Sequence, residues 1–354
     1  MILLEETLAE IVPQDAESRE KAKERLEQLT MPHWALGRLM DLAVDLAGMT
    51  RSLHPCVERK MIVTMAGDHG VAAEGVSKFP RDVTAQMVHN FVNGGAGINA
   101  LARQARADIV VVDMGVAADL GELAHSGKIF SRSIGPGTRN MAVEPAMTRA
   151  QAVRSLEAGI QVARELTFAA DVFGTGDMGI ANTTPSSAIV AVLSGLPVAA
   201  VTGHGTGIGG SQLKHKIEVI EKAIKINEPN RNDALDVLAK VGGFEIGGIA
   251  GLILGAAALK KPVVVDGFIS TAGALIAYSI APASADYMIS AHRSKERGHR
   301  AALKILKKNP LIDLDLRLGE GTGAALAMNF VEAAVRILTE VATFEEAMVS
   351  GADS

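Results

Sequence analysis

From Met61 onward the chain repeats one unit: a short unbroken apolar run, a glycine-rich or polar stretch, then a segment of helical character. The runs lie at 61–65, 108–113, 170–173, 198–201 and 262–266. Their hydrophobicity is continuous rather than alternating, as burial on both faces of a parallel sheet demands. Helical patterns follow at 150–166, 213–226, 234–238, 244–259 and 297–307. This alternation predicts an α/β fold, an open doubly wound and mainly parallel sheet with helices on both faces. Ligands bind such sheets at the carboxyl ends of the strands.

The first sixty residues differ. They read as helices over 18–29 and 36–46, separated by Pro32, which cannot continue a helix and restricts its predecessor. The expected organisation is a helical arm or small helical domain over 1–60, completed by C-terminal helices over 325–354. Beside it stands a large Rossmann-like catalytic domain over 61–324. Residues 227–233 (NEPNRND) read as a turn-rich loop rather than a domain linker.

Composition removes several function classes. The net charge of −5 lacks the basic excess that tracking a phosphate backbone needs, and twelve aromatic side chains supply no stacking platform. No nucleic-acid partner is expected, and the basic run 293–300 reads as a solvated helix face. The lone Cys56 excludes an internal disulfide and a CxxC zinc site, and it reads as lying in a helical region with His54 as its one neighbouring base. Residues 178–213 carry no Asp, Glu, Lys or Arg, yet Pro185, Pro197 and the glycines between 203 and 210 break any long helix there. The stretch 267–285 carries Gly273, Pro282 and several hydroxyls. Both read as buried core, so no membrane contact is expected. The polar first 25 residues show no signal-peptide pattern, which makes the cytoplasm the expected compartment.

The strand ends carry the chemistry. Glycine is abundant, at 36 of 354 residues against an ordinary ~7%, and much of it falls at 94–97, 174–179, 203–210 and 319–323. Such loops let a backbone approach a ligand, and free N–H groups at helix starts bind anions, so a phosphate-bearing ligand is expected. The Walker pattern, a dinucleotide fingerprint after the first run and a GxSxG elbow are all absent. Asp68-His69 has no second His/Asp cluster at ligand spacing, so no metal is expected and Asp68 reads as a carboxylate bound to backbone N–H groups. Glu320 stands between Gly319 and Gly321, hence on a loop. Two readings are open for it: a base of raised pKa beside an apolar pocket, or an N-cap for a helix beginning near Thr322. Taken alone, Phe79, Met87 and Leu318 read as core and Lys216 as a helix-surface lysine.

Eight motifs occur in order: GDHGV (67–71), FPRDVTAQM (79–87), NGGAGIN (93–99), GDMGIANTTPSSA (176–188), KINEPN (225–230), VGGFEIGGIAG (241–251), PVVVDGFIS (262–270) and RLGEGTGAALAM (317–328). Together they resemble the nicotinate-nucleotide–dimethylbenzimidazole phosphoribosyltransferases of cobamide lower-ligand assembly, from residue 29 to about 330. The resemblance implies transfer of the phosphoribosyl group of nicotinate mononucleotide to 5,6-dimethylbenzimidazole or a related aromatic base. The linkage would invert to α and nicotinate would leave, with no cofactor. Nicotinate departs from a cationic pyridinium and needs no general acid, whereas the acceptor's proton requires a general base.

By matched position Glu320 is that base, and Asp177 stands where many members have a second glutamate. Phosphate and ribose would fall to Gly176, Gly179, Asn182, Thr183, Thr184, Gly203, Lys216 and Ser294. The aromatic base would fall to Phe79, Gln86, Met87 and Leu318. The chain departs from the family at Met31-Pro-His-Trp-Ala-Leu-Gly37, where KPxxSLG is usual, and in the Ile-Gly-Gly that follows Gly207. The resemblance also implies a dimer, either a homodimer or a heterodimer with a related subunit. Some relatives of the latter kind use phenol or p-cresol and form an O-glycoside. A sensor or scaffold that binds nucleotide phosphate without catalysis is the alternative of another class, and the presence of Glu320 weighs against it. A diphosphate-dependent phosphoribosyltransferase would want an acidic pair and a Thr-Gly loop where 266–270 reads Asp-Gly-Phe-Ile-Ser.

Overall fold

The computed structural model describes residues 2–205 and 207–350. Six strands form one sheet: β1 (Lys60–Gly67), β2 (Ala107–Gly115), β3 (Phe130–Ser131), β4 (Val172–Met178), β5 (Val263–Val265) and β6 (Met288–Ser290). Every pairing is parallel, in the order β3-β2-β1-β4-β5-β6. The winding direction reverses between β1 and β4, so their carboxyl ends flank the crevice where a sheet of this order binds ligands. The α/β class expected from the apolar runs is the one observed.

Alternate residues of the strands feed two cores. Met61, Val63, Met65, Phe173 and Val263 pack under the helices Arg149–Glu165, Thr183–Ser194, Phe244–Ala258 and Phe268–Ile280. Ile62, Ala66, Val111, Val172 and Val264 face Ala16–Glu27, Arg38–Thr50, Gly97–Ala105 and Thr322–Glu340. The helices Ala16–Glu27, Arg38–Thr50 and Thr322–Glu340 therefore share one core with the sheet, whereas the helix Ile2–Glu10 packs in the other through Leu4. Arg25 Nε donates to the Leu338 carbonyl at 2.9 Å, and Leu29 bridges to Thr343. Phe244–Ala258 is buried along its whole length. Its Gly251 is required by close approach, because a Cβ there would stand 1.9 Å from the Leu156 carbonyl oxygen.

Several expectations are corrected. Residues 198–201 form no strand. Val198–Val201 is a single helical turn entered through Pro197, with Val198 and Val201 buried and the two alanines between them exposed. That i, i+3 burial is helical spacing, which four apolar residues cannot reveal by hydrophobicity alone. β4 begins at Val172 and continues through Met178, so Gly174, Gly176 and Asp177 lie within a strand and not in a loop after it. β3 and β6, of two and three residues, were not foreseen. After Glu340 no further helix appears through residue 350, and 351–354 lie outside the described residues. Cys56 sits in the loop between Arg38–Thr50 and β1, where its thiol meets Asp171 Oδ2 at 3.1 Å and burial pushes its pKa up. Among the described residues no helix is long and apolar enough to cross a membrane.

Candidate active site

Three strands hold one loop. Gly319, Glu320 and Gly321 have φ of 84°, 64° and 99°, a left-handed run that two glycines adopt freely and Glu320 only at a cost of about 1–2 kcal/mol. The loop is pinned by β1, where Thr64 Oγ1 donates to the Glu320 carbonyl at 2.9 Å. At β4 the Glu320 N–H donates to the Asp177 carbonyl at 3.2 Å. Just past β5, Asp266 accepts from Gly321 N at 3.2 Å and from Ala324 N at 3.0 Å.

The Glu320 side chain is only 5% exposed, and its Oε2 accepts from Ile98 N at 3.0 Å. It does not cap the helix that follows it, since Gly321 is the N-cap of Thr322–Glu340. It takes an N–H from the start of a different helix, Gly97–Ala105, whose positive end favours the carboxylate. Burial opposes that and dominates. With the added charge of Asp266, it lifts the Glu320 carboxyl above its usual range.

Asp177 closes β4. Its Oδ2 accepts from Asn182 Nδ2 at 3.0 Å, while the buried Oδ1 has no partner among the described residues. Burial, reinforced by the charge of Asp266, holds this carboxyl well above the carboxylate range. Asn182 leads into the Thr183–Ser194 helix, and Thr183 Oγ1 meets Lys216 Nζ at 2.6 Å. Lys216 is 1% exposed, which overturns its reading as a surface lysine. Burial lowers its pKa to about 8, against an opposing pull from Glu296. Ser294 is positioned by His299, whose Nδ1 accepts the Ser294 N–H at 2.9 Å.

Asp177, Asn182, Thr183, Ser294 and Leu318 line one cavity, together with Glu296, Arg317 and Gly319. The remaining residues expected at the phosphate stand behind its wall. Gly176 lies inside β4, where a Cβ would fall 2.3 Å from the Glu320 carbonyl oxygen. A Cβ on Gly179 would fall 2.4 Å from the Gly67 carbonyl oxygen, Thr184 is fully buried, and Gly203 packs on the Glu296 carboxylate.

Phe79 and Leu318 are 52% and 58% exposed, so the reading of them as core is wrong. Gln86 is also exposed, and Met87 is half-buried against the second core. Two links tie this region to the site: Ile180 N donates to Thr84 Oγ1 at 3.1 Å, and His215 Nε2 meets the Glu74 carbonyl at 2.7 Å.

Asp68 Oδ2 accepts the Ala117 N–H at 2.9 Å, the structural role foreseen for it. His69 Nε2 meets the buried Glu245 at 2.8 Å. Among the described residues no group of three or more His, Cys, Asp or Glu is placed to hold a metal ion.

Sequence reasoning passed over Asp266, Glu245, Glu296 and Arg317. Asp266 was marked by its place at the end of the 262–266 run, a strand terminus facing the crevice. Glu296 lies in the run read as a solvated face, yet it is 8% exposed and accepts the Gly205 N–H at 2.9 Å. His299, in the same run, is fully buried.

Comparison with known proteins gives one consistent family. The profile of a family described as "Phosphoribosyltransferase" matches residues 11–349. The chain is 67% identical over 350 residues to the nicotinate-nucleotide–dimethylbenzimidazole phosphoribosyltransferase of Syntrophotalea carbinolica, covering 99% of each chain. It is 54% identical to the enzyme of the same name from Geobacter sulfurreducens, with all of both chains covered. The crystal structure of CobT from Thermus thermophilus superposes with a TM-score of 0.91 at 45% identity, covering 95% of this chain and 100% of that one.

Proposed function

Because the chain belongs to the nicotinate-nucleotide–dimethylbenzimidazole phosphoribosyltransferase family, we infer that Glu320 is the general base of its reaction. The protein is a pentosyltransferase that moves the phosphoribosyl group of nicotinate mononucleotide onto the lower-ligand base of a cobamide. The geometry supports the following roles. Thr183 and Ser294, which line the cavity, take the 5′-phosphate as neutral donors, with the charge of Lys216 behind them through its contact with Thr183. The family resemblance assigns the flat acceptor to Phe79, Gln86, Met87 and Leu318, of which Leu318 lines the cavity, and Met suits surfaces of varied shape. As the bond from ribose C1 to the pyridinium nitrogen breaks, its electron pair stays with nicotinate and C1 becomes oxocarbenium-like. The unprotonated ring nitrogen of the acceptor attacks from the opposite face, which inverts the linkage, and the proton on its other ring nitrogen passes to Glu320.

The carrying observation is the glutamate on its left-handed loop, buried and raised in pKa yet fixed by three strands and one helix start. Asp177 acts beside it as a positioning acid, since its carbonyl holds the Glu320 N–H. We further propose that the protein works as a dimer. Phe79 and Leu318 stand exposed in the acceptor pocket, and a second subunit can cover them. The helices Ala16–Glu27, Arg38–Thr50 and Thr322–Glu340, which pack together, are the helical unit we offer for that contact. The reaction is tested by incubation with nicotinate mononucleotide and dimethylbenzimidazole, scoring ribotide and nicotinate by mass. Sedimentation at twice the chain mass tests the dimer, and sedimentation at the chain mass contradicts it.

A further inference from the structure

Nicotinate mononucleotide carries two anionic groups, and the residues assigned above account for one. Lys216, Thr183 and Ser294 answer the phosphate. The carboxylate on the pyridine ring has no partner so far. Among the described residues that line the cavity, Arg317 is the one lysine or arginine. It stands next to Leu318 and three positions before Glu320. Neighbouring cations on the same face are paired, Arg293 with Asp313 and Lys295 with Asp315. Arg317 makes no hydrogen bond or ion pair with any other described residue. Its Nη1 lies 3.7 Å from where a Cβ on Gly207 would be, and Lys78 Nζ reaches 3.9 Å from the same point. The loops carrying Phe79, Gly207 and Glu320 therefore bring positive charge to one side of the cavity mouth.

We propose that Arg317 binds the carboxylate of the nicotinate ring and sets the preference for nicotinate mononucleotide over nicotinamide mononucleotide. The proposal rests on the phosphoribosyl transfer described above. A guanidinium presents two parallel N–H donors to a carboxylate, a match that an uncharged carboxamide cannot reproduce. The pair also strengthens along the reaction. In the bound nucleotide the pyridinium charge offsets the carboxylate. When the C1–N bond breaks and the electron pair remains on nitrogen, the ring becomes neutral and nicotinate a net monoanion. The attraction to Arg317 is then no longer opposed, so it stabilises the departing group more than the substrate and acts on kcat as well as on KM.

The experiment compares wild type, Arg317→Gln and Arg317→Lys, with dimethylbenzimidazole saturating and each mononucleotide varied. Where nicotinamide mononucleotide is not turned over, its inhibition constant is read instead. Binding of free nicotinate is measured by calorimetry, which needs no turnover. Arg317→Gln is expected to lower kcat/KM for nicotinate mononucleotide by roughly 10–10²-fold, the scale of a lost charged hydrogen-bonded pair. It should weaken nicotinate binding in parallel and leave the nicotinamide nucleotide within about threefold, with Arg317→Lys recovering part of the loss. An equal loss for both nucleotides, or no change for either, overturns the proposal. Wild-type turnover of nicotinate mononucleotide reports separately on the reaction itself, so the two failures are distinguishable.

Discussion

The main-chain N–H of Glu320 donates to the main-chain carbonyl of Asp177 across 3.2 Å. The acid near the end of β4 and the glutamate on the loop before the last long helix are thus one unit, and a shift of either moves the other. Gly176 is the neighbour on which this unit rests.

A Cβ at Gly176 would fall 2.3 Å from the Glu320 carbonyl oxygen and 2.7 Å from both its carbonyl carbon and Thr64 Oγ1. Two of these are main-chain atoms that cannot turn aside. Gly176→Ala should displace the Glu320 loop and lower kcat by about 10²-fold, the scale of a misplaced catalytic group, while the protein stays folded. Steady-state kinetics beside a thermal melt checks this. A folded variant with wild-type kcat would show that the loop does not depend on this contact.

Lys216 loses its proton at about pH 8, where an exposed lysine would hold it to about 10.5. The charged form binds phosphate, so the site weakens as pH rises through about 8. The apparent KM for the mononucleotide should then climb toward tenfold per pH unit, with kcat little changed. Lys216→Met should start with a raised KM and show no such climb. A wild-type KM flat from pH 7 to 9.5 would remove Lys216 from the phosphate site.

Asp177 retains its proton in the folded protein well above the pKa near 3.9 at which it ionises in the unfolded chain. Above that pH the folded state binds more protons than the unfolded one. Its contribution to stability is therefore complete below about pH 4 and declines as pH rises toward the folded pKa. Asp177→Asn removes the decline and keeps an acceptor for Asn182. The variant's gain in Tm over wild type should grow from pH 5 to pH 8. A gain independent of pH would mean that the carboxyl is not held neutral.

The sequence made the sheet legible because 61–65, 108–113 and 262–266 are long enough, and buried enough on both faces, to read as interior strands. It failed at 198–201, where four apolar residues fit a turn of helix as well as a strand, and at β3 and β6, whose two and three residues carry no pattern. Glu320 was legible through its flanking glycines, though not the helix start that its side chain meets. Lys216 looked like its neighbours Lys214 and Lys222. Its burial depends on the helix settling against Thr183, a contact between segments 33 positions apart. Phe79 and Leu318 were misread for the converse reason, since an apolar side chain left exposed looks the same in sequence as one reserved for the core.

Glu320 tests the account most directly. Glu320→Gln keeps the shape and an acceptor for Ile98 N–H but cannot take the acceptor's proton. With both substrates saturating, kcat should fall by about 10²–10⁴-fold with mononucleotide affinity and Tm preserved. The wild-type rate should fall away on acidification through an apparent pKa above the usual glutamate value, a limb that the variant lacks. A folded Glu320→Gln variant with wild-type kcat would contradict the assignment of the base, and with it the mechanism.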